Sequence, residues 1–174
     1  MQYCRAIKSI LLLSAFMFVS ACSVFKPARE PQVKAPSLGN TIVTERLGDD
    51  EILSRLSALP GQTLEKDTCG LFLWLRRDDA PLIFFQKSNA PHASMILDGV
   101  TQSLPRQSAT GLIGFNFFEN QTFENSAFKL SVRAKAEAVR SIRQGIKIET
   151  GNISITTQNG WSAALPVAGI IGCK

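Results

Sequence analysis

The chain has 174 residues, 45% of them hydrophobic and 19% charged, and a formal net charge of +5. That length supports one domain with a real core and not two, and so mild a positive balance does not imply a nucleic-acid partner. A single histidine argues against a structural zinc site, which takes four N or S ligands.

The first residues fall into three blocks. Arg5 and Lys8 form a short positive region without an acid, Ile10 to Val19 is an apolar run broken only by Ser14, and Ser20 and Ala21 are small. This is the layout of a secretory signal, whose apolar stretch is too short to span a bilayer of roughly 30 Å as a permanent helix. The sequence Val19-Ser20-Ala21-Cys22 resembles the lipobox of bacterial lipoproteins. The resemblance implies that residues 1–21 are removed and that Cys22 becomes the acylated, palmitate-bearing first residue of the mature chain. Small residues let the signal peptidase seat an extended backbone, and the thiol carries the diacylglycerol. Each buried methylene contributes about 0.8 kcal/mol, so two or more acyl chains make the attachment effectively permanent. Ser23 follows the modified cysteine and resembles the outer-membrane class, in which the domain faces the periplasm.

Loss of the signal leaves seventeen Lys and Arg against fourteen Asp and Glu, a net charge of +3. Cys4 leaves with the signal and Cys22 is acylated, so Cys69 and Cys173 remain. In an oxidising compartment two such thiols are most simply a disulfide, and the alternative is two buried free cysteines. Residues 22–45 carry Pro27, Pro31 and Pro36 without apolar periodicity and read as a tether, spanning roughly 25–30 Å on average. Residues 46–174 then form the domain.

Asp49 can cap a short helix with Asp50 and Glu51 in its first turn; Ile52, Leu53, Leu56 and Leu59 share a face, and Pro60-Gly61 ends it. From Cys69 the pattern turns to strands. Gly70–Leu75 is a continuous apolar run, followed by strands at Leu82–Gln86, Ala93–Leu97 and Leu112–Phe118. Phe128, Leu130, Val132, Ala134 and Ala136 alternate with Lys129, Ser131, Arg133 and Lys135, the mark of a strand with one wet face. Ile146 and Ile148 face Ile153 and Ile155 across Gly151-Asn152, which suits a tight hairpin turn. Asn159-Gly160 marks another turn before Trp161–Leu165 and Val167–Cys173. About eight short antiparallel strands after one helix give an all-β fold, a small barrel or a sandwich. Pairing of Cys69 with Cys173 would set the first and last strands side by side and lean the choice toward a barrel.

The chemistry of catalysis is not visible. His92 sits alone in a turn-like stretch, no Gly-x-Ser-x-Gly elbow occurs, and no phosphate-binding glycine loop leads into a helix, so neither enzyme activity, metal nor cofactor is expected. The functional lead is basic: Arg133, Lys135, Arg140, Arg143 and Lys147 crowd residues 129–147, where only Glu137 opposes them. Such charge often serves only to keep a sheet edge soluble. As a binding patch, Arg133, Lys135, Arg140 and Arg143 would take an anionic envelope component, a glycolipid, peptidoglycan or a protein.

Two resemblances concern the mature domain. Cys69-Gly70-Leu71-Phe72-Leu73-Trp74 and the closing Gly160-Trp161, Leu165-Pro166-Val167 and Gly172-Cys173 look like a set of small uncharacterised proteins from alphaproteobacterial genomes. The likeness implies a genuine domain and nothing about activity. The lipid anchor, small all-β domain and disulfide also resemble the membrane-bound lysozyme inhibitors of the C-type class. Those place a Ser and a Lys motif in the lysozyme cleft; Ser108-Ala109-Thr110-Gly111 stands for the first, and the second has no counterpart. The sequence therefore leads to a lipid-anchored, non-catalytic envelope protein that binds an envelope component or partner protein. The alternative is an inhibitor of a host or competitor hydrolase such as lysozyme.

Cys22→Ala should abolish palmitate labelling and leave a slower-migrating, uncleaved precursor. Normal processing and labelling of that variant would refute the lipid anchor.

Overall fold

The computed structural model describes residues 45–137 and 145–174. Cys22, Arg140 and Arg143 lie outside the described residues. Strand β1 (Glu45–Arg46), helix α1 (Asp49–Arg55) and strand β2 (Leu56–Ser57) come first. Eight longer strands follow: β3 (Cys69–Leu75), β4 (Leu82–Lys87), β5 (His92–Leu97), β6 (Val100–Gly114), β7 (Phe117–Glu124), β8 (Phe128–Glu137), β9 (Gly145–Thr157) and β10 (Trp161–Cys173).

Each of these eight pairs antiparallel with the next, and β10 returns to pair antiparallel with β3, so the sheet closes into a barrel and not a sandwich. Closure satisfies the backbone groups that an open sheet would leave on its edges. Cys173 stands directly opposite Cys69 in the closing ladder, and the two form a disulfide across a Cα–Cα distance of 4.0 Å. The cross-link spans 104 residues of sequence.

Alternation fills the inside. On β8 Leu130, Val132 and Ala134 are buried while Lys129, Arg133 and Lys135 are exposed. Phe84, Phe117 and Phe123 are fully buried, with Ala93, Ala134 and Ala163 making room for them, which suits the narrow interior of an eight-stranded barrel. Phe84 and Phe123 meet edge to face with centroids 5.6 Å apart. The wall is tightest at Gly169, next to a bulge in β10, where a Cβ would lie 2.0 Å from the Phe72 carbonyl oxygen.

Because successive strands reverse direction, the disulfide, the β4–β5 turn and the β6–β7 turn share one end of the barrel. The opposite end is completed by the N-terminal segment. There β3 and β4 are too short, so β1 pairs beside Trp161–Ser162 and β2 beside Ile96–Leu97. Helix α1 lies between them with Ile52, 2% exposed, in the core. Arg55 lies over the Trp161 ring at 5.2 Å, and its carbonyl accepts from the Asp98 N–H at 2.8 Å.

Several sequence expectations are corrected here. The N-cap is Gly48 rather than Asp49, which instead opens the helix beside Asp50 and Glu51. The helix stops at Arg55, because Leu56 and Ser57 hydrogen-bond into the barrel wall. Gly151-Asn152 is not a turn: β9 runs straight through it. A Cβ at Gly151 would come 2.8 Å from the Arg133 carbonyl oxygen, so glycine serves close strand packing there. Leu112–Phe118 is not a strand but straddles the β6–β7 turn. Trp161–Leu165 and Val167–Cys173 are one strand, interrupted only by the bulge after Val167.

Replacing Cys69 and Cys173 together by alanine should lower unfolding free energy by about 2–5 kcal/mol in denaturant titration. An unchanged midpoint, or two thiols open to alkylation in the denatured, unreduced protein, would contradict the cross-link.

Candidate functional site

The wet face of β8 lies between β7 and β9, and register decides what surrounds it. Asn120, Arg133 and Asn152 are direct cross-strand partners in one row, and Lys135 stands opposite Thr150 in the next. On the other side of Arg133, Ser131 is flanked by Thr122 and Ser154. Partners directly opposite on one face lie about 5 Å apart, close enough to act on one ligand. The outer surface of these strands is therefore a field of amides and hydroxyls with two cations set into it.

A groove of about 410 Å³ runs along this face, lined by Glu119, Asn120, Arg133, Lys135, Thr150 and Asn152. Its floor is the wall at Ala134 and Gly151, where the missing side chain of Gly151 brings the β8 and β9 backbones together. Among the described residues no carboxylate lies within 4.0 Å of the Arg133 or Lys135 charge. Glu119 lines the groove without pairing with either. A cation held in water beside amide donors and acceptors can bind an anion without first breaking an internal ion pair.

The structure thus brings together two of the four residues expected in the patch, Arg133 and Lys135, while Arg140 and Arg143 lie outside the described residues. It removes Lys147 from the cationic group. The Lys147 ammonium pairs with Glu137 at 3.2 Å and with Glu149 at 3.8 Å, so this end of the stretch is compensated. Glu149 is close because it shares a strand with Lys147 two residues away on the same face, which the count over 129–147 left out.

Three features escaped the sequence. Asn120, Thr150 and Asn152 join the site only through register. Inside the barrel, Gln86 and Gln121 are both 1% exposed. Gln86 follows Phe84 and Gln121 precedes Phe123 by two residues on oppositely directed strands, so both amides lie one layer below the Phe84–Phe123 contact, toward the disulfide. The Arg106 guanidinium donates to the Gln121 Oε1 at 3.4 Å, while both amide atoms of Gln86 and the Gln121 Nε2 have no hydrogen-bond partner among the described residues. The third feature is the apolar tip of the β6–β7 hairpin, where Leu112 and Phe115 are exposed.

Other residues singled out by the sequence stay apart from the groove. His92 opens β5 and is exposed. Among the described residues no group of three His, Cys, Asp or Glu is placed to hold a metal ion. Ser108 lies within β6, bonded to the Thr122 hydroxyl at 2.6 Å, and not on a protruding loop.

No family model, curated protein or solved structure matches this chain. The chemistry of the outer face alone supports a functional reading.

Proposed function

We propose that this chain is a lipid-anchored, non-catalytic protein of the bacterial envelope whose outer β7–β9 face binds an anionic glycan or glycolipid. The observation that carries the reading is the pair Arg133 and Lys135, pointing outward with no carboxylate partner among the described residues, on a groove edged by Asn120, Thr150 and Asn152. The two cations would meet phosphate or carboxylate groups, and the amides and the threonine hydroxyl would exchange hydrogen bonds with sugar hydroxyls. Ligands combining both chemistries are abundant in the envelope: lipopolysaccharide phosphates and peptidoglycan carboxylates. Anchoring at Cys22, in the outer membrane and facing the periplasm, would hold the domain among them.

The surface is open and solvated, so each cation contributes modestly and binding should depend strongly on salt. Affinity would come from several weak contacts acting together along the groove.

The mature chain should bind lipopolysaccharide or soluble peptidoglycan fragments at low salt and release them by about 0.3 M salt, where the Debye length falls well below 10 Å. Reversing both Arg133→Glu and Lys135→Glu should weaken binding about tenfold or more, since each cation near an anionic surface contributes roughly 1 kcal/mol. Thermal stability should change little, because exposed charges matter little to folding. Equal binding by the reversed variant would show that the charge serves only to solubilise the sheet.

A further inference from the structure

Among the described residues three large apolar side chains are strongly exposed, and two of them share one hairpin tip: Leu112 at 68% and Phe115 at 48%. The tip is a two-residue turn, because Gly114 at the end of β6 pairs with Phe117 at the start of β7. Phe115 and Asn116 form it with φ of 51° and 64°. Turns with positive φ at both central residues favour Asn and Gly, and a bulky side chain there is strained. Asn116 fits. Phe115 does not, and it is also left facing water.

The turn is braced. The Asn116 side-chain amide donates to the Ser88 carbonyl at 2.9 Å, and Arg106 donates to the Asn116 carbonyl at 3.4 Å. The first bond holds Asn116 against the β4–β5 turn, and the second ties it to β6. An exposed aromatic kept in an unfavourable conformation by a supported loop points to a function that needs it there.

We propose that Leu112 and Phe115 form a wedge that enters the headgroup region of an anionic phospholipid bilayer. Two side chains on a convex turn offer far less than the roughly 1,000 Å² that a specific protein interface buries. A bilayer needs no matching shape and accepts small apolar wedges beside cations. The cations are present: Arg133 pairs with Asn120, which pairs with Thr110, two residues before Leu112. The wedge lies at the barrel end opposite β1, where the chain from Cys22 enters. Residues 23–44, fully extended, can reach about 75 Å, whereas the longest strand, β6, spans at most about 50 Å, so the tip can touch the leaflet that holds the lipid. The inference rests on the lipid-anchored reading only for bringing the tip near a bilayer.

The test places tryptophan at the tip. Phe115→Trp is introduced into the mature chain as cells process it, and the protein is mixed with vesicles of phosphatidylglycerol and phosphatidylethanolamine. Relative to wild type, which carries Trp74 and Trp161, the added emission should shift to the blue and be quenched by lipids brominated in their upper acyl chains. Val100→Trp, at the opposite end and 59% exposed in the native residue, should show neither change. Phe115→Asn should raise the unfolding midpoint by about 3 °C by relieving the turn. Flotation with vesicles but no quenching at position 115 would overturn the wedge and leave the lipid anchor standing. Failure to float at all would overturn both. A blue shift that appears only with an envelope protein and without lipid quenching would overturn the wedge in favour of a protein partner.

Discussion

Closure of the sheet between β3 and β10 is the constraint on which the rest of this structure depends. Seven register pairs join the two strands, from Val167 opposite Leu75 to Cys173 opposite Cys69, and the disulfide locks the last of them. Because the first and last barrel strands meet, no strand of the eight is left as an edge, and one face of each must turn inward. The interior is then set by number: eight strands enclose a space that side chains fill. Phe84, Phe117 and Phe123 occupy it with leucines and isoleucines, and alanines at 93, 134 and 163 keep the volume balanced. Gly169 is the point at which this closure is most demanding, since no side chain fits against the Phe72 carbonyl.

With large side chains packed inside the barrel, its accessible chemistry lies on the outer surface. The remaining chemistry is distributed around the disulfide end and the adjacent wall: Arg133 and Lys135 over the groove, and Leu112 and Phe115 at the hairpin tip. The N-terminal segment takes the other end, where β1, α1 and β2 complete a wall that β3 and β4 leave short. The two ends therefore differ. At one, the N-terminal segment finishes the core; the other presents charge and apolar surface. The polar layer of Gln86, Gln121 and Arg106 lies inside the second end, and one of its bonds, from Arg106 to Asn116, also supports the tip.

Much of the fold was legible where one face of a strand is wet and the other dry. The alternation from Phe128 to Ala136 marked β8 and gave the outward direction of Arg133 and Lys135 correctly. The cysteines were legible by elimination in the sequence, but their pairing only leaned the fold toward a barrel, and the β3–β10 ladder decides between barrel and sandwich. Strand β6 was invisible over most of its length because only Leu104 of its fifteen residues is buried. It is a strand because β5 and β7 supply backbone partners, which no local pattern records. Gly151 misled because the same residue type serves tight turns and close strand approach, and only the neighbouring Arg133 carbonyl distinguishes the two. The site was half legible for a similar reason. Charge on β8 could be read locally, whereas Asn120 and Asn152 beside it, and the pairing of Glu137 with Lys147 across strands, required the register.

The central claim is that a filled barrel binds anionic ligands on its outer β7–β9 face and not within. Amide chemical shifts of the isotopically labelled chain, followed during titration with phosphorylated lipopolysaccharide fragments at low salt, test it most directly. The account predicts the largest changes at Asn120, Arg133, Lys135, Thr150 and Asn152, with Gln86, Leu104 and Gln121 unmoved. Changes concentrated on Gln86, Leu104 and Gln121, with the outer row silent, would contradict it.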